Sequence, residues 1–236
     1  MLRGLIFLIL FFPLTLLFGV PATIGGLLGF KQSTMWFGKP WSRVCLWFVG
    51  ARASYLNLER LTERQPCIYL ANHQSAVDIW VMLISLPLAT RFVAKQSLFS
   101  LPGLGWAMRA SGFIPIDRTN RGAAVKSLRT AAARIRDGSS VVLYPEGTRS
   151  KDGKLQPFKK GPFHLALQAG VPIVPMLLVG THGVLPAGTI RVRPGPVEIR
   201  VLPPVEVRED DTVESLRDRL HDVFREGLAD TDHAPD

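Results

Sequence analysis

Between Arg3 and Lys31 the chain has no charged residue, and Leu, Ile and Phe dominate. About 20 apolar residues in a helix cross a bilayer core of roughly 30 Å, and this stretch is long enough. Pro13, Pro21 and the neighbouring Gly25 and Gly26 weaken a continuous helix, so a straight span and a re-entrant helical pair both remain open. The marks of a cleaved signal peptide are missing. Arg3 alone forms the basic region, the apolar run is too long, and no small-x-small site follows. A retained membrane anchor is expected.

Cysteine is equally scarce. Cys45 lies in an aromatic segment and Cys67 in an expected strand, which suits a reducing compartment and gives neither metal-ligand spacing nor a redox pair. There is no G-x-S-x-G nucleophile elbow, Walker A loop, Rossmann glycine fingerprint or H-E-x-x-H. Basic-aromatic RNA-binding signatures, zinc spacings and basic zippers are also missing, which ranks nucleic acid low among partners. The sequence implies no metal or other cofactor. It contains no internal repeat and no low-complexity tract.

Charge is present but uneven. Residues 206–236 hold 11 acids against 4 arginines, a net −7, so the first 205 residues carry +16 against +9 overall. A basic body joined to an anchor fits anionic headgroups or anionic substrates, and ordinary solubility is the competing explanation. Lys31, Lys39, Arg43 and Arg52 follow the apolar run and only Arg3 precedes it, which places the main domain on the cytoplasmic side of the inner membrane. Trp36, Trp41 and Trp47 interleave with these cations, as at a membrane interface or on an amphipathic helix packed on the domain.

The length suits one domain. Residues 1–52 read as the anchor with an interfacial helical segment, 53–229 as the main domain, and 230–236 as a disordered tail. Strands are expected at 67–71, 91–94, 113–116, 140–144, 173–179 and 197–202. Helices are expected within 118–138, at 162–169 and at about 212–228, the last with Asp211 and Glu214 as a capping box. This alternation argues for an α/β fold, a mostly parallel or mixed sheet flanked by helices. Ligands of such sheets sit at the strand carboxyl ends, where the polar residues fall.

His73 and Asp78 are five residues apart, about 140° around a helix, so they meet only if His73 lies in a turn and Asp78 in the first helical turn. A carboxylate there would fix the imidazole tautomer and free the other nitrogen to take a proton. The same residues also read as a helix-capping S-x-x-D, with His73 a plain turn residue. Seven residues alone do not decide between the two. The turn "YPEGTRSKDGK" offers Thr148, Arg149 and backbone N–H groups suited to a phosphate, with Arg118 as a second guanidinium and Glu146 orienting an arginine. A solvated basic turn is the plainer reading. His164 and His182 read as structural, with His182 near enough in sequence to a strand end to line the same cleft.

Four blocks, "NHQSAVD", "GFIPIDR", "YPEGTRS" and "VPIVPM", occur in that order, flanked by "FVAKQSLFSLPGLGW" and "LQPFKKGPFH". Together they resemble the glycerolipid acyltransferase family over about residues 67–180, most closely its bacterial members that acylate 1-acylglycerol-3-phosphate. The N-terminal segment is similar to that family's membrane-embedded helices. The resemblance implies that His73 is the general base and Asp78 its partner. It implies that Arg118, Glu146, Gly147, Thr148 and Arg149 hold the acceptor's phosphate, with Lys95 a further contact, and that residues 171–176 shape a strand beside the acyl site. The implied reaction moves an acyl group from acyl-CoA or acyl-carrier protein to the sn-2 hydroxyl of lysophosphatidic acid, a membrane lipid, giving phosphatidic acid. Other acceptors (glycerol-3-phosphate or another lysolipid), hydrolysis through Ser75, and an inert binder of anionic lipid or acyl-carrier protein are the alternatives.

Overall fold

The computed structural model describes residues 2–61, 66–117 and 119–230. Arg118 and residues 231–236, most of the expected tail, lie outside the described residues. Two helices open the chain, α1 (Leu2–Leu27) and α2 (Ser33–Val49). Despite Pro13 and Pro21, α1 is one continuous helix. The chain reverses only after it, where Gly29 takes a positive φ and Phe30 N–H donates to Gly25 O at 2.9 Å. The N-terminal segment is therefore a long helix paired with a shorter one.

Seven strands follow: β1 (Ala51–Leu56), β2 (Ile68–Ala71), β3 (Arg91–Lys95), β4 (Ile114–Ile116), β5 (Val141–Leu143), β6 (Ile173–Val179) and β7 (Gly195–Val201). They form one mixed sheet in the order β1-β7-β6-β2-β5-β3-β4. Every pairing is parallel except β6 with β7. The α/β expectation is met, with one strand added. β1 has no apolar run because its Ala and Ser residues give it little hydrophobic signal; it forms by pairing with β7, far along the chain. The expected domain boundary at residues 52–53 falls inside this strand.

The sheet separates two apolar layers, and β2 shows why. Its residues alternate, Tyr69 and Ala71 entering the layer under α1, α2 and α3 (Val77–Ser85), while Ile68 and Leu70 enter the layer beneath α5 (Arg121–Arg136), α6 (Gly161–Ala169) and α8 (Val213–Ala229). The short α4 (Leu104–Ala110) joins the first layer, and α7 (Thr181–Val184) follows β6. The α8 cap falls one residue later than the sequence pattern implies. Thr212 Oγ1 accepts from Ser215 N–H, and Ser215 Oγ accepts from Thr212 N–H, while Asp211 accepts from Arg208 N–H. The Asp211 and Glu214 box is thus replaced by Thr212 and Ser215.

The first helix is not a free tail. Phe7 meets Trp80 at 5.4 Å between ring centroids and Phe11 meets Trp41 at 5.8 Å. Gly19 lies so close to Gly103 that a Cβ there would stand 2.7 Å from the Gly103 carbonyl oxygen, so only glycine permits this approach. Its outer side exposes Leu8, Ile9, Leu17 and Leu27.

Candidate active site

The parallel neighbours β2, β5, β3 and β4 open their carboxyl ends on one side of the sheet. The turn after β2 carries His73, the loop after β5 carries Tyr144 to Arg149, and β3 ends at Lys95. The topology thus gathers residues far apart in sequence along one edge.

The β2 turn is fixed at each step. Asn72 clamps onto β6 through both amide atoms, Nδ2 donating to Leu178 O at 2.9 Å and Oδ1 accepting from Leu178 N–H at 2.8 Å. Next, His73 Nδ1 lies 2.8 Å from Asp78 Oδ2. A carboxylate oxygen accepts, so Nδ1 carries the proton and Nε2 is left to accept one. The same Oδ2 accepts from the backbone N–H groups of Gln74 at 2.7 Å and Ser75 at 2.8 Å. Asp78 is fully buried and His73 is 8% exposed, so the pair sits at the edge of water without being immersed in it. One oxygen thus orients the imidazole and braces the turn that precedes α3. The helix begins at Val77 rather than Ser75 with Ala76 as its N-cap and no side-chain cap bond there, so the S-x-x-D cap at Ser75 is not formed.

Ser75 is fully buried, with its hydroxyl donating to Leu185 O at 2.7 Å and accepting from Val77 N–H. That arrangement leaves no free hydroxyl to act as a nucleophile. Burial also pushes the Cys67 thiol up, which keeps it unreactive.

Glu146 does something the sequence did not reveal. Among the described residues its oxygens accept from backbone N–H groups and not from an arginine: His73 to Oε1 at 2.7 Å and Gln156 to Oε2 at 3.1 Å. Ser150 N–H in turn donates to His73 O at 2.8 Å. Glu146 is 2% exposed, beneath the surface that a ligand would touch, and it clasps the histidine turn to the loop that bears Thr148 and Arg149. The loop turns at Gly147, whose φ of 76° suits glycine. Burial lifts the Glu146 carboxyl to about 7, against the pull of the His73 and Gln156 N–H groups, and the charge of Asp78 lifts it further.

This shift has a testable sign. The folded value lies above the ordinary 4.5, so the folded protein keeps a proton that the unfolded chain has released. Stability attributable to Glu146 therefore falls as pH rises from about 4.5 to about 7. Denaturation at pH values spanning that window is expected to show a steeper decline for the wild type than for Glu146→Gln. Equal slopes would contradict it.

A cavity of about 400 Å³ opens beside His73. Lys95, Thr148 and Arg149 line its polar end with the imidazole, and Lys95 and Arg149 are exposed there. The rest is mostly apolar, walled by Phe11 and Phe18 of α1, Trp41 of α2, Ile79 and Leu83 of α3, and Phe92 of β3, with Thr15 and Thr34 among them. One space thus joins a cationic mouth, a base and a greasy interior. It suits a molecule with an anionic head and an aliphatic tail.

The remaining candidates lie elsewhere. Residues 171–176 are absent from the cavity wall; β6 contributes through the Asn72 clamp instead. His182 packs against Gly153 rather than lining the cavity, and His164 is exposed on α6. Among the described residues no group of three or more His, Cys, Asp or Glu could hold a metal. Asn72, Tyr144 and Gln156 carry no chemical signal of these roles in the sequence, although the first two lie inside the motif blocks.

The chain is similar to known proteins in sequence and in fold. A family model described as Acyltransferase matches residues 52–179. The 1-acyl-sn-glycerol-3-phosphate acyltransferase of Limnanthes douglasii is 40% identical over 187 residues, covering 78% of this chain and 66% of that protein. The alpha form of the same-named enzyme from Homo sapiens is 35% identical over 184 residues, covering 75% and 65%. The chain thus spans slightly under two thirds of the length of these relatives. The crystal structure of the 1-acyl-sn-glycerophosphate acyltransferase PlsC from Thermotoga maritima superposes with a TM-score of 0.79 at 26% identity, over 99% of each chain. On the family match, which covers more than half of its length, the chain belongs to the acyltransferase family.

Proposed function

We propose that this chain transfers a fatty acyl group from an acyl thioester to the sn-2 hydroxyl of lysophosphatidic acid, giving phosphatidic acid. The observation that carries the reading is the His73–Asp78 pair set at the seam between the cationic mouth and the apolar cavity. The names of the relatives support the acceptor. In this reading the acceptor's phosphate rests on Lys95, Thr148 and Arg149, with Arg118 as a further cation, and the acyl chain fills the cavity. Gly147 shapes the turn, and Glu146 contributes by holding that turn to His73.

A lipid hydroxyl is a weak nucleophile, so a base must take its proton as the bond to carbon forms. Nε2 of His73 receives that proton, and the oxygen attacks the thioester carbonyl. The tetrahedral intermediate then expels the thiolate, which recovers the proton from the imidazolium. The enzyme contributes no nucleophile, and the thioester needs no further activation. Acyl-CoA and acyl-carrier protein are both anionic thioesters that suit the basic body. The apolar α1 and the family membership support membrane association, where acceptor and product reside. The basic residues that follow α1 support a catalytic domain on the cytoplasmic side.

The test is the protein in sealed membrane vesicles of known orientation, given labelled acyl-CoA or acyl-carrier protein and a panel of acceptors, with products identified. Lysophosphatidic acid is expected to be preferred over glycerol-3-phosphate and over lysolipids without a terminal phosphate. Added donor should be consumed only where the cytoplasmic face points outward. Arg149→Ala is expected to raise the acceptor KM about tenfold or more while leaving the donor KM within about twofold, since one charge-assisted contact is lost. Thiol release that ignores the acceptor would sink the transfer reading. Equal rises in both KM values would remove the phosphate role of Arg149.

A further inference from the structure

His73 is held from three sides, and polar contacts account for two. Asp78 takes Nδ1 and Glu146 takes the backbone N–H. The third side is Tyr144, directly after β5, whose ring lies 4.0 Å from the imidazole centroid to centroid with 20° between planes. Such a parallel stack is one of the two ordinary arrangements of neutral rings, and it also presents the π face to the imidazole, which suits that ring once it becomes a cation. Tyr144 is 8% exposed and is fixed by the central strand β5, so the ring is not an adventitious surface contact.

The surrounding charges give the stack a purpose. Around the imidazole are Asp78 from α3 and Glu146 from the loop after β5, with Lys95 from β3 and Arg149 on the rim of the same cavity. The two rim cations suit an acceptor phosphate, but they oppose a positive charge on the imidazole. We propose that Tyr144 is a positioning residue for the base: its ring sets the imidazole plane, and its π face stabilises the imidazolium formed as the acceptor loses its proton. This rests on the assignment of His73 as general base. The proton moves from the acceptor hydroxyl to Nε2 and then to the departing thiolate, so no further reactant is needed. The stack strengthens only while the imidazole is charged, so it acts on kcat rather than on substrate binding.

Position 144 is tested with Phe, with a graded series of fluorinated phenylalanines, and with Leu, alongside His73→Ala. Tyr144→Phe keeps the ring and is expected to hold kcat within about twofold. Tyr144→Leu is expected to lower kcat about tenfold with both KM values within about twofold. Stepwise fluorination preserves the ring's shape while draining π density, and kcat is expected to fall with each step. Should Tyr144→Leu fail to fold, the fluorinated series decides. A flat series, a Leu variant with wild-type kcat, or a Phe variant as damaged as Leu overturns the proposal. The two readings fail separately: an active His73→Ala removes the base itself, whereas an inactive His73→Ala beside a flat series removes only the role of Tyr144.

Discussion

Replacing His73 with alanine is expected to cut acceptor-dependent thiol release from acyl-CoA by about a thousandfold while membrane binding and folding persist. The structure explains why so large a loss need not be a folding defect. Both bonds that tie this residue to the β5 loop use its backbone: its N–H donates to Glu146 and its carbonyl accepts from Ser150. Alanine keeps them. What disappears is the imidazole and its Nε2, while Glu146 keeps its two backbone N–H donors and Asp78 keeps those of Gln74 and Ser75. Among the described residues that line the cavity no other group is suited to take over, because Lys95 and Arg149 are cations and Thr15, Thr34, Thr148 and Tyr144 offer only hydroxyls. Steady-state turnover with lysophosphatidic acid, beside vesicle sedimentation, measures both halves. Wild-type-like turnover would end the assignment.

Asp78 is expected to show two separable losses. Its Oδ2 accepts from the His73 ring and from the N–H groups of Gln74 and Ser75 inside a fully buried site. Asparagine with its amide oxygen in the place of Oδ2 keeps the shape and an acceptor for the ring and both backbone donors, but it removes the charge that favours an imidazolium. The charged base formed during the reaction then lacks its counter-charge, and kcat is expected to fall by about a hundredfold or more with a melting temperature only slightly lower. Alanine removes the acceptor altogether and leaves two buried N–H groups unpaired. At about 1–3 kcal/mol for each, the cost should appear as a fall of about 10 °C in addition to the lost turnover. Thermal melts and kcat for the two variants separate bracing of the turn from the action on the imidazole. An Asp78→Asn enzyme with full activity would leave Asp78 as a brace alone.

That double use was the part of the site least legible from sequence. The spacing of His73 and Asp78 excluded a common helix face and required a turn before a helix, and that turn is present. The same pattern offered a helix cap as a rival because a string of letters does not show that Asp78 bonds the turn before α3 as well as the ring. Glu146 was misread for a related reason. An acid in a turn next to an arginine invites a salt bridge, whereas burial instead directs its oxygens to backbone donors from distant segments. Strands with continuous apolar runs, such as 173–179, were legible because both faces of a central strand are buried. The edge strand β1 was not, since its small residues pair with β7 only after the chain has folded. Asn72 and Tyr144 were in plain view inside the motifs, but their roles depend on β6 and on ring geometry.

The packing of α1 also changes what its loss would mean. Phe11, Phe18 and Ala22 face the cavity, while Leu8, Ile9 and Leu17 point outward. Under the proposed function the helix is a partition with substrate on one side and bilayer on the other. Trimming it to obtain a soluble catalytic core would remove a wall of the reaction chamber and flood the acyl compartment with water. Drift in its sequence is correspondingly hemmed in from both sides, because bulk added on the inner side fills the acyl space and polarity added on the outer side weakens the hold on lipid.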